Sequence, residues 1–137
     1  MKTIIDPPNF TKTVGAYSQG LKVDIGDKTM VFVSGQLAMD SDGKPVAPDD
    51  ISVQTRYIFE NIKTILSNAG AALEDVVKVQ IFLTDISKFP QVSAVRNEYL
   101  EHIRPVSTLL EISRTVREGC DIEIEVIAIT ANKEKSE

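Results

Sequence analysis

The apolar positions of this chain change period several times, and each change marks an element. After Asp49 and Asp50, either of which can cap a helix, apolar or small residues recur at Ile51, Thr55, Ile58, Ile62, Ile65 and Ala69. Spacings of three and four put them on one helical stripe, which Phe59 and Leu66 widen, and Gly70 stands where a helix commonly ends. Val77, Val79, Ile81 and Leu83 then alternate with Lys78, Gln80, Phe82 and Thr84, the period of a strand with one buried face. A second helix is predicted from Asp85, with Pro90 tolerable only near its first turn and Val92, Val95, Tyr99 and Ile103 on its inner side.

Ahead of the first helix, residues 14–23 and 29–35 read as two strands joined through the turn-forming Asp24 to Lys28. Met39 to Pro48 is dense in Asp, Gly and Pro and reads as an exposed loop. Its Asp40-x-Asp42-Gly43 matches a fragment of a calcium loop, but the other ligands are missing and a plain turn explains it. Strands at about 107–113 and 121–130 complete the order ββαβαββ, an α+β sheet with two helices on one face. In the last strand Ile122, Ile124, Val126 and Ala128 point one way and Glu123, Glu125, Ile127 and Ile129 the other, so both faces carry apolar residues. Helices cover only one face, and partner subunits are the simplest cover for the second.

No repeat, low-complexity stretch or linker divides the 137 residues. A single domain over 1–137 is expected, its core spanning about 13–130 between a short flexible N-terminus and a charged tail, KEKSE. The opening MKTIIDPPNF reaches acid and proline before a signal-peptide core can form, and no stretch of about 20 apolar residues occurs, so a cytoplasmic protein that does not cross a membrane is expected. Asn9-Phe10-Thr11 fits a glycosylation pattern, read as accidental without a secretory signal.

Charge and chemistry narrow the function. A net charge of -5, with no Lys/Arg cluster, makes nucleic acid a poor partner. One cysteine, Cys120, and one histidine, His102, leave too few ligands for zinc, and no metal or cofactor is expected. Cys120 reads as filler rather than nucleophile. The chain lacks a P-loop, GxGxxG, HExxH or GxSxG, so any chemistry rests on carboxylates, tyrosine, hydroxyls and backbone groups, which suits mild proton transfer or hydration.

Five ordered segments carry a resemblance. Gly15-Ala16-Tyr17-Ser18-Gln19 is similar to a G-P-Y-S-Q segment, Val33-Ser34-Gly35-Gln36 to a T-S-G-Q strand end, and Gln54 to Gly70 to a long helix. Asp75 to Asp85 is similar to D-V-V-K-x-x-x-F-L-x-D, and Ile122 to Ala128 to I-E-I-E-x-I-A. Together they resemble the RidA (YjgF) family of reactive-intermediate deaminases over roughly residues 13–130. The resemblance implies a chorismate-mutase-like fold and a homotrimer with inward-facing sheets and three pockets between subunits. It also implies a cofactor-free hydrolase, in which a glutamate holds the water that hydrolyses an imine or enamine. Tyr17 matches the family's pocket tyrosine and Glu123 its glutamate. Ser34 and Gly35 would act through backbone groups, glycine allowing close approach of a ligand, or else simply end the strand.

One position departs from the pattern. The family's deaminases read P-A-R-[ST], the arginine gripping the substrate's carboxylate, whereas this chain reads Pro105-Val106-Ser107-Thr108. The resemblance therefore implies weak activity on 2-iminopropanoate or 2-iminobutanoate and a different substrate. Ser107 and Leu109 would border the altered pocket, and Arg104, or Arg114 or Arg117, would either replace the missing cation or stay at the surface. The alternatives are a 2-aminomuconate-type deaminase and a trimer that binds a metabolite without turning it over. Ribonuclease or translation-inhibitor activity, a label some family members carry, is disfavoured by the acidic charge.

Overall fold

The computed structural model describes residues 1–134; the end of the KEKSE tail lies outside the described residues. Its strands are β1 (Lys2–Ile5), β2 (Gly20–Ile25), β3 (Lys28–Gln36), β4 (Val76–Leu83), β5 (Val106–Glu111) and β6 (Ile122–Ala131), and its helices α1 (Ile51–Asn68) and α2 (Phe89–Leu100). They form one six-stranded sheet in the order β1-β2-β3-β6-β4-β5. All neighbours are antiparallel except β4 and β5, which α2 connects as a parallel pair. The expected ββαβαββ series is present, preceded by one further strand. That strand corrects the reading of a flexible N-terminus: Lys2 to Ile5 pair with Val23 to Gly20, and Ile5 is buried.

The first hairpin is shorter than expected. Residues 14–19 are not strand, and β2 begins only at Gly20, where a Cβ would lie 2.7 Å from Ile65 of α1. Gly26, at φ 60, makes the tight turn into β3. In the acidic loop, Asp40 Oδ1 accepts from the amides of Asp42 and Lys44, each at 2.9 Å, so its carboxylate closes its own turn.

Asp50 caps α1 by accepting from the Val53 amide at 3.1 Å. The stripe of Ile58, Phe59, Ile62, Ile65 and Leu66 is fully buried against Val31, Val79, Ile81, Ile122 and Ile124 of the sheet. Asp85 caps a short 3-10 turn, Ile86–Lys88, and α2 follows with Pro90 in its first turn. Phe59 stacks on Tyr99 with ring centroids 4.9 Å apart, and Tyr99 Oη donates to Glu60 at 2.7 Å, tying the helices together. Among the described residues, no helix is long and apolar enough to cross a membrane.

The opposite face is apolar and open. Phe32, Ile129 and Leu110 are 37, 38 and 51% exposed. Ile127, beside Phe32 in the ladder, is half-buried.

Candidate active site

The loop after β1 returns to the sheet through side chains instead of a ladder. The Gln19 amide donates to Asp6 at 2.8 Å, Gln19 Nε2 to the Thr11 carbonyl at 2.9 Å, and Gln36 Nε2 to Gln19 Oε1 at 2.9 Å. Ser34 donates twice, its amide to the Gln19 carbonyl at 2.9 Å and its hydroxyl to the Ser18 carbonyl at 2.6 Å. Thr11 Oγ1 also donates to the Asp40 carbonyl. These bonds hold residues 6–19 across the end of β3 and place Tyr17, 54% exposed, at the rim of a cavity of about 610 Å3.

Glu123 reaches the same cavity from β6. Between Val33 and Gln36, β3 carries one residue more than the β6 segment it faces, a bulge containing Ser34 and Gly35. A Cβ on Gly35 would lie 2.4 Å from Glu123 Oε2 and 2.7 Å from its Cδ. Gly35 thus makes room for the carboxylate of this chain. Gly35→Ala is expected to push that carboxylate aside. A crystal structure of the variant checks this.

Glu123 is half-buried, and its carboxylate accepts no hydrogen bond from the described residues. Burial, and then the like charge of Glu125, push its pKa above the ordinary glutamate value. The result is a carboxylate of raised basicity with its oxygens free toward the cavity.

Tyr17, Ser34, Gly35 and Glu123 therefore meet in one cavity, whereas Ser107 and Arg104 do not join them. Ser107 pairs with Val79, and Leu109 with Ile81, residues whose side chains are buried under the helices. Glu123 pairs with Phe82, on the other face. Ser107 and Arg104 instead line a groove of about 390 Å3 beside Arg96 and Asn97 of α2. Leu109 is half-buried and packs against the core. The reason is geometric: Ser107 lies on the edge strand, two strands from β6 and on the helix side.

Arg117 lines both the Glu123 cavity and a neighbouring surface groove, whereas Arg114 lines only that groove. Cys120 is buried, its Sγ donating to the Ala38 carbonyl at 3.5 Å, and burial raises its pKa, as suits a filler. Sequence reading missed Phe10, Gln19, Gln36 and Tyr57, which also line the cavity. Gln19 and Gln36 were within the matched segments but carried no charge to draw notice.

An open mixed sheet with one helix-covered face and a carboxylate cavity at the β3 bulge defines the class of protein. A family model described as endoribonuclease L-PSP matches residues 8–130. A RutC family protein of Pyrococcus abyssi is 38% identical over 127 residues, covering 93% of this chain and 96% of that relative. A Rid-family structure from Yersinia pestis superposes with a TM-score of 0.83 at 34% identity, covering 93% of this chain and 98% of that one. Yeast Mmf1 gives 0.84 at 29% identity, covering 94 and 98%. The chain belongs to the YjgF/RidA/RutC family.

Proposed function

We propose that this protein is a cofactor-free deaminase that hydrolyses a reactive imine or enamine to a carbonyl compound and ammonia. The observation carrying this reading is Glu123, a half-buried carboxylate of raised pKa whose oxygens are free within a cavity that Tyr17 also lines. An iminium carbon is already electrophilic, so orienting and deprotonating a water is sufficient help. In the forward step a water oxygen bonds to that carbon while Glu123 takes one of its protons. Glu123 then hands that proton to the carbinolamine's nitrogen, the C–N bond breaks and ammonia leaves, and the hydroxyl proton passes to water as the carbonyl forms, which leaves Glu123 ionised again. Tyr17 orients the substrate from the rim.

The ionised form of Glu123 is the active one, so the rate is expected to rise with pH through a pKa above the ordinary glutamate range. Glu125→Gln removes one of the two causes of that elevation. The acid limb of the pH–rate profile should then move to lower pH, with the plateau within about twofold of the parent. An unmoved limb would assign it to another group.

The open face with Phe32, Ile127, Ile129 and Leu110 supports a homotrimer, as the family resemblance implies. In such an assembly the Ser107 groove of one copy would border the Glu123 cavity of another, completing pockets that a single chain leaves open. Light scattering at micromolar protein is expected to give three times the 15.1 kDa chain mass; a clean monomer would contradict the shared pocket. Ribonuclease action, which the family model's description names, is disfavoured by the net charge of -5. Ammonia release that needs this protein and disappears with Glu123→Gln supports the deaminase. A trimer that holds an oxo acid without accelerating release would be a metabolite-binding protein.

A further inference from the structure

We infer that Arg117 is the carboxylate-binding residue of the Glu123 cavity, and that the substrate is an imine or enamine bearing a carboxylate on a body larger than a four-carbon imino acid. This rests on the deaminase reading of the same cavity and names its substrate class.

The turn carrying Arg117 is fixed. Thr115 Oγ1 donates to the Cys120 carbonyl at 2.6 Å, and the Cys120 amide donates to the Arg117 carbonyl at 3.1 Å. Gln54 Nε2, from the buried side of α1, donates to the Gly119 carbonyl at 2.7 Å. Gly119 has φ +89, and a Cβ there would lie 3.0 Å from Pro45, so the turn is seated against the acidic loop. Its backbone is held, but among the described residues the Arg117 guanidinium makes no hydrogen bond or ion pair. Five N–H donors in a fork suited to a carboxylate are left unspent on an exposed residue that borders the cavity.

The charge balance points the same way. The cavity's charged lining is Lys12, Arg117 and Glu123, a surplus of one positive charge in a chain of net charge -5. Arg117 and Glu123 lie beyond ion-pair distance of each other, so a ligand can meet both at once without one neutralising the other. The same cavity is also lined by apolar side chains, among them Phe10, Leu37, Tyr57 and Val116. As a single chain presents it, open on one side, the cavity of about 610 Å3 has room for more than a three- or four-carbon acid. The complementary molecule has an electrophilic C=N at Glu123, an apolar or unsaturated middle and an anionic end at Arg117.

Titration calorimetry with phenylpyruvate and its methyl ester, on the full chain, tests this. Arg117→Ala is expected to weaken phenylpyruvate at least about tenfold and the ester less than about twofold, with Arg117→Lys recovering part of the loss. Phenylpyruvate bound equally by parent and Arg117→Ala, not bound by the parent, or lost with Lys12→Ala instead, would overturn the assignment. Ammonia release separates the two claims. Imines turned over without the acid–ester split would remove Arg117 alone, whereas the split without any turnover would leave the anion site standing and remove the deaminase.

Discussion

Glu123→Gln is expected to reduce ammonia release at least about a hundredfold, the lower end of what a positioned general base contributes, without weakening the fold at neutral pH. The amide keeps the shape of the carboxylate over Gly35 but cannot take a proton from water. Its effect on stability follows from the direction of the pKa shift. Burial and Glu125 raise the folded-state pKa of Glu123 above its unfolded value. A group shifted this way contributes stability that is present below the unfolded pKa and lost as pH rises through the folded pKa. At neutral pH the parent holds a half-buried charge beside Glu125, which the amide removes. The variant's melting temperature, relative to the parent's, should therefore be higher at neutral than at acid pH. Initial rates and melting curves on the same samples check both halves; a variant that is inactive because it melts early would leave Glu123 without an assigned role.

The second large effect is structural. Gln54→Leu is expected to cost about 3 kcal/mol, or roughly 10 °C in melting temperature, and to depress turnover as well. Gln54 is fully buried in α1, yet it makes three hydrogen bonds to backbone. Its Nε2 donates to the carbonyls of Val46 at 3.1 Å and Gly119 at 2.7 Å, and its Oε1 accepts from the Asp121 amide at 3.1 Å. Leucine fills the same space but leaves those three groups without partners, at about 1–3 kcal/mol for each that water cannot reach. Asp121 leads directly into Ile122 and Glu123, and Gly119 lies two residues beyond Arg117, so loosening this joint moves both ends of the cavity. A melting temperature within a degree or two of the parent would show that the loops do not depend on Gln54.

Gln54 also shows what the sequence made legible and what it did not. The α1 stripe could be read because isoleucines at three- and four-residue spacing have no competing explanation. Gln54 lies on that stripe, three residues after Ile51 and four before Ile58, but a count of apolar positions passes over a polar residue. Alternation along β6 separated Ile122 and Ile124 from Glu123 and Glu125, and the structure keeps that division. Residues 14–19 were misread because Val14 and Tyr17 resemble strand residues, whereas this segment's bonds go through Ser18, Gln19 and Asp6. β1 was missed because four residues, KTII, are too few to show a period, and their partner lies beyond a long loop. Gly35 was identified, but its purpose depends on a carboxylate 88 positions away in sequence, which only the β3–β6 register reveals. The faces of Ser107 and Glu123 were illegible for a similar reason: parity orders side chains within a strand, not between strands.

The most direct measurement is ammonia release from a panel of unstable imines generated in situ from amino acids, short and long, with and without catalytic amounts of the protein. If Glu123 activates water in this cavity, the protein accelerates release over buffer, more for long carboxylate-bearing imines than for 2-iminopropanoate, and Glu123→Gln returns the rate to that of buffer. Equal release with and without the folded protein across the panel, or full acceleration by Glu123→Gln, would contradict it.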